Sequence, residues 1–181
     1  MLYKTNYKSI FCTLTICSDG MSVVGLWTEN QKYFAAGIKE SMTQKADLDI
    51  FNKTKFWLDQ YFSRKQPKIL DIPLSPQGSE FQQAVWKLLC EIPYGETTTY
   101  GQIAQKLAKQ LQKTKISPRA VGNAISRNPI SIIIPCHRVI GANGSLTGYA
   151  GGINLKKKLL ELENPSLMQN KNIKSLNLQN H

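Results

Sequence analysis

Short runs of β-branched, apolar and aromatic residues predict a small sheet in the first part of the chain. The runs at 10–17 and 23–27 are separated by a Ser-Asp-Gly turn sequence at 18–20, and this arrangement predicts a β-hairpin. Residues 32–34 and 68–72 predict two further short strands. None of these segments carries a chemical motif, so we expect their role to be structural.

Apolar residues recur at helical spacing in five segments, and each predicts a helix: 46–62, 81–90, 100–111, 118–126 and 154–163. Ser79, residues 97–99 and Ser117 stand at the N-cap positions of three of these helices, and Pro118 suits the first helical turn. The stretch 73–79 holds two prolines, a glycine and two serines, which is typical of a linker.

The order of these elements predicts two domains and a tail. Residues 1–75 form a small α/β structural domain. Residues 76–165 form a mainly α domain with a helix-turn-helix, winged-helix-like in character. Residues 166–181 are rich in asparagine, glutamine, lysine and serine, and we expect this tail to be disordered.

The second helix of the predicted helix-turn-helix has an unusual composition. Ala120, Gly122 and Ala124 leave one flank without large side chains, and Arg119 stands at the start of the helix. A helix that reads bases in the major groove normally carries long polar side chains. A bare helix headed by one arginine suits close approach to the minor groove, with the arginine inserted into the duplex. Close packing against a neighbouring helix is the alternative interpretation.

The chain of 181 residues carries a formal net charge of +11, and the positive excess is unevenly distributed. Residues 79–165 hold 11 basic and 5 acidic residues, whereas residues 1–78 hold 10 and 7. A basic domain favours a polyanionic partner such as DNA. Solvated lysines that only improve solubility are the alternative explanation of this charge.

The four cysteines indicate neither a metal site nor a disulfide framework. There is no Cys-x-x-Cys sequence and no histidine at metal-ligand spacing. The chain shows no signal peptide, and no segment approaches the roughly 20 apolar residues of a membrane span. We therefore expect a cytoplasmic protein with reduced thiols.

A thiol, an imidazole and a guanidinium follow one another shortly after an apolar run at 132–134. We expect this run to be a strand, and Pro135 restricts the direction in which the chain leaves it. Cysteine is nucleophilic as the thiolate, which a nearby base or cation favours. Cys136 is a candidate nucleophile, and His137, the only histidine besides the terminal His181, is a candidate base. A buried structural cysteine beside a surface histidine is the alternative.

Two residues after this run are candidates for a binding pocket and for a partner of His137. Tyr149 stands between small residues, where its ring can form a pocket wall or a stacking face. Glu163 lies at the end of the last predicted helix, where the helix dipole disfavours a carboxylate. This position points to a partner such as His137, and a frayed surface glutamate is the alternative.

Together these residues resemble the O6-alkylguanine-DNA alkyltransferases, also called methylated-DNA–protein-cysteine methyltransferases. The resemblance covers about residues 81–163 and looks closest to the stand-alone bacterial members. Its core is Ile134-Pro135-Cys136-His137-Arg138-Val139-Ile140. The supporting motifs are Ile92-Pro93-Tyr94-Gly95, Tyr100-Gly101-Gln102-Ile103-Ala104, Arg119-Ala120-Val121-Gly122, Asn128-Pro129 and Gly148-Tyr149-Ala150-Gly151-Gly152.

The resemblance implies DNA repair by direct, single-turnover alkyl transfer. Family members flip an alkylated guanine out of double-stranded DNA and move its O6-alkyl group onto a cysteine, and O4-alkylthymine is a further candidate substrate. By matching position, Cys136 is the acceptor and His137 is a base acting through a water. Glu163 orients the imidazole, and Asn128 braces the turn before the active-site strand.

The resemblance also implies substrate and DNA contacts. The residues that line the base pocket are Tyr100, Val139 through its carbonyl, Tyr149, and Ala150 through its amide. Tyr100 also helps to rotate the nucleotide. Arg119 fills the vacated stack, and Ala120 and Gly122 lie on the same minor-groove helix.

The family implies a monomer that needs no cofactor and no metal, with alkylated double-stranded DNA as its partner and no membrane association. Residues 1–80 contain none of the histidines that the zinc site of some relatives requires. Two other functions remain open. A non-catalytic lesion binder is one, although the presence of Cys136 argues against it. A Cys-His hydrolase is the other, but it needs an oxyanion hole and does not explain the arginine-headed helix.

Overall fold

The computed structural model of the protein describes residues 1–168. Four strands make up the N-terminal sheet: β1 (Leu2–Lys8), β2 (Thr13–Ser18), β3 (Val23–Thr28) and β4 (Met42–Gln44). They lie in the order β3-β2-β1-β4, with β2 antiparallel to both of its neighbours and β4 parallel to β1. The predicted hairpin is confirmed as β2–β3, and the Asp19 carboxylate accepts hydrogen bonds from two backbone N–H groups in its turn.

Two parts of the sheet differ from the sequence prediction. Strand β1 was not predicted, because it mixes lysine, asparagine and tyrosine, and only Thr5 in it is fully buried. The predicted strand at 32–34 is wrong. Those residues form turns, in which Tyr33 (φ 65°) and the following Ala35 (φ 51°) adopt left-handed backbone conformations that a strand cannot contain.

Helix α1 (Asp49–Phe62) confirms the predicted helix at 46–62 and packs against β2. Its buried face includes Phe51 and Leu58, which belong to the main hydrophobic core. The predicted strand at 68–72 is wrong. Ile69–Asp71 forms a 3-10 turn in which the Leu70 side chain is 95% exposed, so the apolar residues there do not form one buried strand face.

The first residues of the predicted linker at 73–79 are hydrogen-bonded to the N-terminal sheet. The Val23 N–H donates to the Pro73 carbonyl at 2.9 Å, and the Ser75 N–H donates to the Val23 carbonyl at 2.9 Å. These bonds form an isolated parallel bridge between Val23 and Leu74 at the edge of β3. The connection between the two halves is therefore anchored to the sheet.

Four helices build the C-terminal half: α2 (Glu80–Leu89), α3 (Tyr100–Gln110), α4 (Pro118–Ser126) and α5 (Ile153–Glu163). Ser79 and Thr99 cap α2 and α3, each in a capping box with a glutamine three residues later, and Ser117 caps α4. These helices confirm the predictions made from local polar caps and apolar stripes. Helices α3 and α4 pack together as the predicted helix-turn-helix.

The predicted strand at 132–134 is wrong. These residues lie in a turn, and Ile132 has a φ of 72°. The turn is tied to the sheet because the Leu26 N–H donates to the Pro129 carbonyl at 2.8 Å and the Ser131 N–H donates to the Leu26 carbonyl at 2.9 Å. A buried turn and a buried strand give the same run of apolar residues, so the sequence could not separate them.

The chain after this turn forms a 3-10 turn, Cys136–Arg138, and then strand β6 (Val139–Ile140). Strand β6 pairs in parallel with β5 (Thr98–Thr99), which directly precedes α3. This pairing brings the start of α3 beside the Cys-His pair. Cys136, His137 and Arg138 therefore lie on one tight helical turn and not at the end of a strand.

One hydrophobic core extends through both halves, with Leu14 and Phe51 in the same cluster as Val85 and Ile133. The N-terminal half therefore supports the turn that carries the candidate nucleophile. The structure places 166–168, the start of the predicted disordered tail, in the 3-10 helix Pro165–Met168, and the rest of that tail lies outside the described residues. Within residues 1–168, no helix is long and apolar enough to cross a membrane.

Candidate active site

The Cys136 thiol lies in a buried turn that the Asn128 side chain holds in place. Cys136 is 5% exposed, and its Sγ accepts a hydrogen bond from Asn128 Nδ2 at 3.1 Å. The same amide donates to the Ile134 carbonyl at 2.9 Å, and its Oδ1 accepts from the Ile130 N–H at 3.0 Å. Asn128 therefore fixes both the backbone turn and the direction of the sulfur.

His137 and Glu163 form a buried pair beneath this turn. His137 Nε2 lies 2.6 Å from Glu163 Oε1, and both side chains are excluded from solvent. Within residues 1–168, His137 Nδ1 has no hydrogen-bond partner. With Nε2–H donating to the carboxylate, Nδ1 keeps its lone pair and is a proton acceptor. Within the described part of the chain, no hydrogen bond joins the His137 imidazole to the Cys136 thiol.

The Glu163 carboxylate is surrounded by hydrogen-bond donors. Arg138 binds both of its oxygens, with Nε 2.8 Å from Oε2 and Nη2 3.0 Å from Oε1. The Tyr61 hydroxyl donates to Oε1 at 2.7 Å, and the Gly95 N–H donates to Oε2 at 3.1 Å. The charge of Glu163 is thus balanced by Arg138, so His137 need not be protonated to compensate for it.

The pKa values agree with a neutral histidine beside an ionised glutamate. Burial lowers the pKa of His137, and the nearby positive charges of Arg138 and Lys156 act in the same direction, whereas Glu163 opposes them. Burial alone would raise the pKa of Glu163, but the His137 ring and the Arg138 guanidinium hold it well below its usual range. The imidazole is therefore available as a base at neutral pH.

Lys156, the first of three consecutive lysines, is also buried and lies close enough to the thiol to act on its charge. It is fully excluded from solvent, and its Nζ donates to the Val139 carbonyl at 2.5 Å and to the Thr147 carbonyl at 2.8 Å. Burial lowers its pKa to about 8, and Cys136 opposes this shift. Burial raises the pKa of the Cys136 thiol, which the Asn128 hydrogen bond and the Lys156 charge partly offset.

Two of the four residues expected to line a base pocket, Tyr100 and Tyr149, have hydroxyl groups close enough to Cys136 to interact with its charge. The Tyr149 ring is edge-on to His137, with centroids 6.4 Å apart, and its hydroxyl has no partner within residues 1–168. The Tyr100 hydroxyl, from the start of α3, donates to the Thr147 carbonyl at 2.8 Å. The carbonyl of Ala150 accepts from the Lys32 N–H at 3.2 Å.

The Val139 carbonyl, the fourth predicted pocket residue, is already engaged by Lys156. A carbonyl oxygen has two lone pairs, so this bond leaves one acceptor position. A glycine is required at position 148 beside Tyr100, because a Cβ there would lie 2.7 Å from the Tyr100 hydroxyl and its φ is +72°. Tyr100 and the 147–150 segment are therefore closely fitted to one another.

Helix α4 presents only part of its small-residue flank to the surface. Arg119 is exposed near its start, and Ala120 and Gly122 are partly exposed. Ala124, which was expected on the same bare flank, is buried, and its carbonyl accepts from Trp86 Nε1 at 2.9 Å. Ala124 therefore packs against α2, as the alternative interpretation expects. The first turns of the helix remain accessible, and their approach to the minor groove stays a prediction.

Gly122 lies between the exposed start of α4 and Tyr100, one of the residues expected to line the base pocket. A Cβ at Gly122 would lie 3.7 Å from the Tyr100 ring, so the start of α3 and the middle of α4 are in close contact. The exposed Arg119 lies three residues earlier on the same helix. The candidate nucleic-acid surface and the candidate base pocket therefore adjoin one another.

Three residues of the site were not assigned a role from the sequence. In the sequence Arg138 stands out only as the neighbour of His137, although a guanidinium among apolar residues indicates a buried ion pair. Lys156 is one of three consecutive lysines, so the residue type does not mark it. Its position on the buried face of α5 is the feature that indicates a role inside the protein. Tyr61 occupied an apolar helix position in another domain, and nothing local marks its contact with Glu163.

Comparisons with known proteins define the class of this fold and site. A family model described as 6-O-methylguanine DNA methyltransferase, DNA binding domain, matches residues 80–165. A second, described as 6-O-methylguanine DNA methyltransferase, ribonuclease-like domain, matches residues 2–76. The chain belongs to the 6-O-methylguanine DNA methyltransferase family.

Individual relatives match most of the chain. The methylated-DNA–protein-cysteine methyltransferase of Haemophilus influenzae is 40% identical over 162 residues, which cover 90% of this chain and 86% of that protein. The protein of the same name from Mycobacterium bovis is 53% identical over 164 residues, covering 90% and 93%. The crystal structure of Mycobacterium tuberculosis OGT in complex with DNA has a TM-score of 0.78 and 39% identity, covering 90% of this chain and 93% of that chain.

Proposed function

We propose that this protein repairs alkylated double-stranded DNA by moving the O6-alkyl group of guanine onto Cys136. The observation that carries the proposal is the buried arrangement of Cys136, His137 and Glu163, in a chain whose relatives are named methylated-DNA–protein-cysteine methyltransferases. A thiol beside a buried base is a nucleophile without need of a metal or cofactor.

In the proposed step, the sulfur of Cys136 attacks the alkyl carbon on guanine O6. The S–C bond forms as the O6–C bond breaks, and the guanine retains the electron pair of the broken bond and takes up one proton. The thiol proton passes to His137 Nδ1 through a water, because the two side chains are not directly bonded. Glu163 holds the imidazole through Nε2–H, which fixes the tautomer that has Nδ1 free.

The product explains why each molecule reacts once. S-alkylcysteine is a thioether, which has no acyl carbon for water to attack, so the thiol is not regenerated. A cysteine hydrolase instead forms a thioester that water cleaves. The protein therefore acts as a stoichiometric reagent with Cys136 as the acceptor.

For the target atom to reach a buried thiol, the guanine has to leave the base stack. We assign Tyr100, Val139, Tyr149 and Ala150 to the pocket for the flipped base. Arg119 is exposed beside the partly exposed Ala120 and Gly122, which suits insertion from the minor groove into the vacated stack. The net charge of +11 favours this encounter with DNA.

The division of the chain also belongs to the proposal. Residues 76–165 bind DNA and carry out transfer as a monomer, and residues 1–75 support them. A cytoplasmic location suits the chemistry, because the four cysteines are free thiols and Cys136 has to remain reduced to act. Fractionation of cells that express the full chain would place the protein.

The test compares the DNA product of two cysteine variants. A duplex with one O6-methylguanine is incubated with excess protein, digested to nucleosides and separated by chromatography. We expect the wild-type chain and Cys90→Ser, a half-buried thiol outside the site, to convert O6-methylguanine to guanine. Cys136→Ser should leave the lesion unchanged. Conversion by Cys136→Ser at the wild-type rate would refute the assignment.

A further inference from the structure

A tyrosine from the N-terminal half reaches into the active site. Tyr61 is near the end of α1, and its side chain is buried, with only 1% of the residue exposed. Its hydroxyl donates to Glu163 Oε1 at 2.7 Å and lies 3.4 Å from His137 Nε2. It is thus the one hydroxyl group within the described residues that touches both members of the His-Glu pair.

The surrounding aromatic rings hold Tyr61 in one position. Its ring stacks on Trp57 with centroids 5.6 Å apart and an interplanar angle of 7°. Phe62 and Tyr94 pack edge-on at 5.3 Å and 6.0 Å, respectively. Trp57 is itself fixed, because its Nε1 donates to the Lys68 carbonyl at 2.8 Å. The Tyr61 hydroxyl is therefore held towards Glu163 by Trp57 and Phe62 of the first domain and by Tyr94 of the second.

The contact places Tyr61 where it controls the geometry of the proposed base. Glu163 Oε1 accepts from Tyr61, His137 and Arg138, so the hydroxyl restrains the oxygen that orients the imidazole. The hydrogen bond at one ring nitrogen of a histidine decides which of the two nitrogens carries the proton, so a group that restrains the partner in that bond also restrains the imidazole. We infer that Tyr61 is a positioning residue for alkyl transfer, supplied by the N-terminal domain, which keeps Glu163 Oε1 aligned with His137 Nε2. This inference rests on the proposed roles of His137 and Glu163.

The variant Tyr61→Phe removes the hydroxyl and keeps the ring. We expect the rate constant for transfer from an O6-methylguanine duplex to fall about tenfold, the lower end of the effect of removing a hydrogen bond to a charged group. The loss of a donor leaves more negative charge on Oε1, which favours the protonated imidazole. The acid limb of the pH–rate profile should therefore move to higher pH, while duplex affinity stays unchanged in a Cys136→Ser background.

Tyr94→Phe is the matched control. The Tyr94 ring packs edge-on against Tyr61, and its hydroxyl is also buried. Within residues 1–168 that hydroxyl has no hydrogen-bond partner, so its removal should leave the rate and the pH profile unchanged. Because the chain has only two histidines, ¹⁵N-imidazole NMR can follow His137 directly in each variant. We expect the His137 titration to move upward in Tyr61→Phe only.

Identical rates, pH profiles and His137 titrations in Tyr61→Phe and Tyr94→Phe, with normal transfer by the unaltered chain, would overturn this inference and leave the proposed function standing. Absence of transfer by the unaltered chain would overturn both. If Tyr61→Phe folds poorly, 3-fluorotyrosine at position 61 keeps the ring and strengthens the donor. The acid limb should then move to lower pH, and no movement would refute the positioning role.

Discussion

Replacing Arg138 with methionine removes the cation that balances Glu163 and keeps a long apolar stem. The Arg138 side chain is 7% exposed and that of Glu163 is fully buried. The substitution deletes two hydrogen bonds to the carboxylate and a third, from Nη1 to the Ile92 carbonyl at 2.7 Å. The negative charge of Glu163 then remains inside the protein without a permanent counter-charge.

The structure sets the size of the effect. Breaking a buried ion pair by removing one partner costs about 3–5 kcal/mol in the free energy of unfolding. Three donors, from Tyr61, Gly95 and His137, would still bind Glu163, so we expect the lower end, about 3 kcal/mol at pH 7.

The pH dependence of this loss follows from the depressed pKa of Glu163. In the wild-type chain, Glu163 contributes stability above its ordinary pKa of 4.5, and this contribution falls as the pH drops towards the lower folded value. Arg138→Met weakens that depression. The difference in stability between the two chains should therefore be full at pH 7 and shrink below about pH 4.5.

Urea unfolding followed by tryptophan fluorescence at pH 7 and pH 4 measures this directly. Arg127→Met is the control, because Arg127 is exposed and, among residues 1–168, the interaction of its guanidinium is stacking over Tyr33, 4.7 Å from the ring centroid. We expect the control to lose less than about 1 kcal/mol. A loss in Arg138→Met no larger than the control, or one that grows on acidification, would show that Arg138 does not balance a buried carboxylate.

Three further predictions address transfer and DNA binding. Cys136→Ala should keep its affinity for an O6-methylguanine duplex in a mobility-shift assay and lose all transfer, and loss of both would contradict a purely nucleophilic role. Arg119→Ala should slow transfer from duplex DNA about tenfold and leave transfer from the free O6-methylguanine base almost unchanged. The reason is that only the duplex has a base stack, in which the flipped guanine leaves a gap for the arginine. Equal losses would count against insertion. Asn128→Ala should lower the unfolding free energy by about 2–3 kcal/mol, because it leaves the buried Ile130 N–H without its acceptor and removes the hydrogen bonds that hold the turn. A change below about 0.5 kcal/mol would show that the turn is stable without Asn128.

The elements that were predicted correctly carry their signals locally. Ser79, Thr99 and Ser117 are caps that the sequence shows directly, and each begins a helix in the structure. The turn at 18–20 likewise joins two strands whose apolar residues lie within a few positions of it. Such signals depend on neighbouring residues and need no knowledge of the rest of the fold.

The elements that were missed depend on distant partners. Residues 132–134 are apolar because the turn they form is buried against the sheet through Leu26, which is more than 100 positions away in the sequence. The segment 32–34 is held in turns beside the 147–150 segment, where its backbone meets the carbonyl of Ala150. Tertiary contacts of this kind override local β-propensity.

The residues of the candidate site also fall into those that the sequence indicates and those that it does not. Cys136, His137 and Glu163 were named as candidates because their residue types and the family resemblance are visible in the sequence. Tyr61 and Lys156 were not, because one is an aromatic residue in a helix stripe and the other is one of three consecutive lysines. Their burial and their partners decide what they do, and only the folded chain shows these.

The central claim is that Cys136 accepts an alkyl group in a single turnover. Intact-mass measurement after incubation with an excess of duplex carrying one O6-methylguanine tests it most directly. We predict a gain of one methyl group per protein molecule, mapped by peptide mass to Cys136, with no further gain as more duplex is added. An unchanged mass, or a methyl group on one of the other three cysteines, would contradict the account.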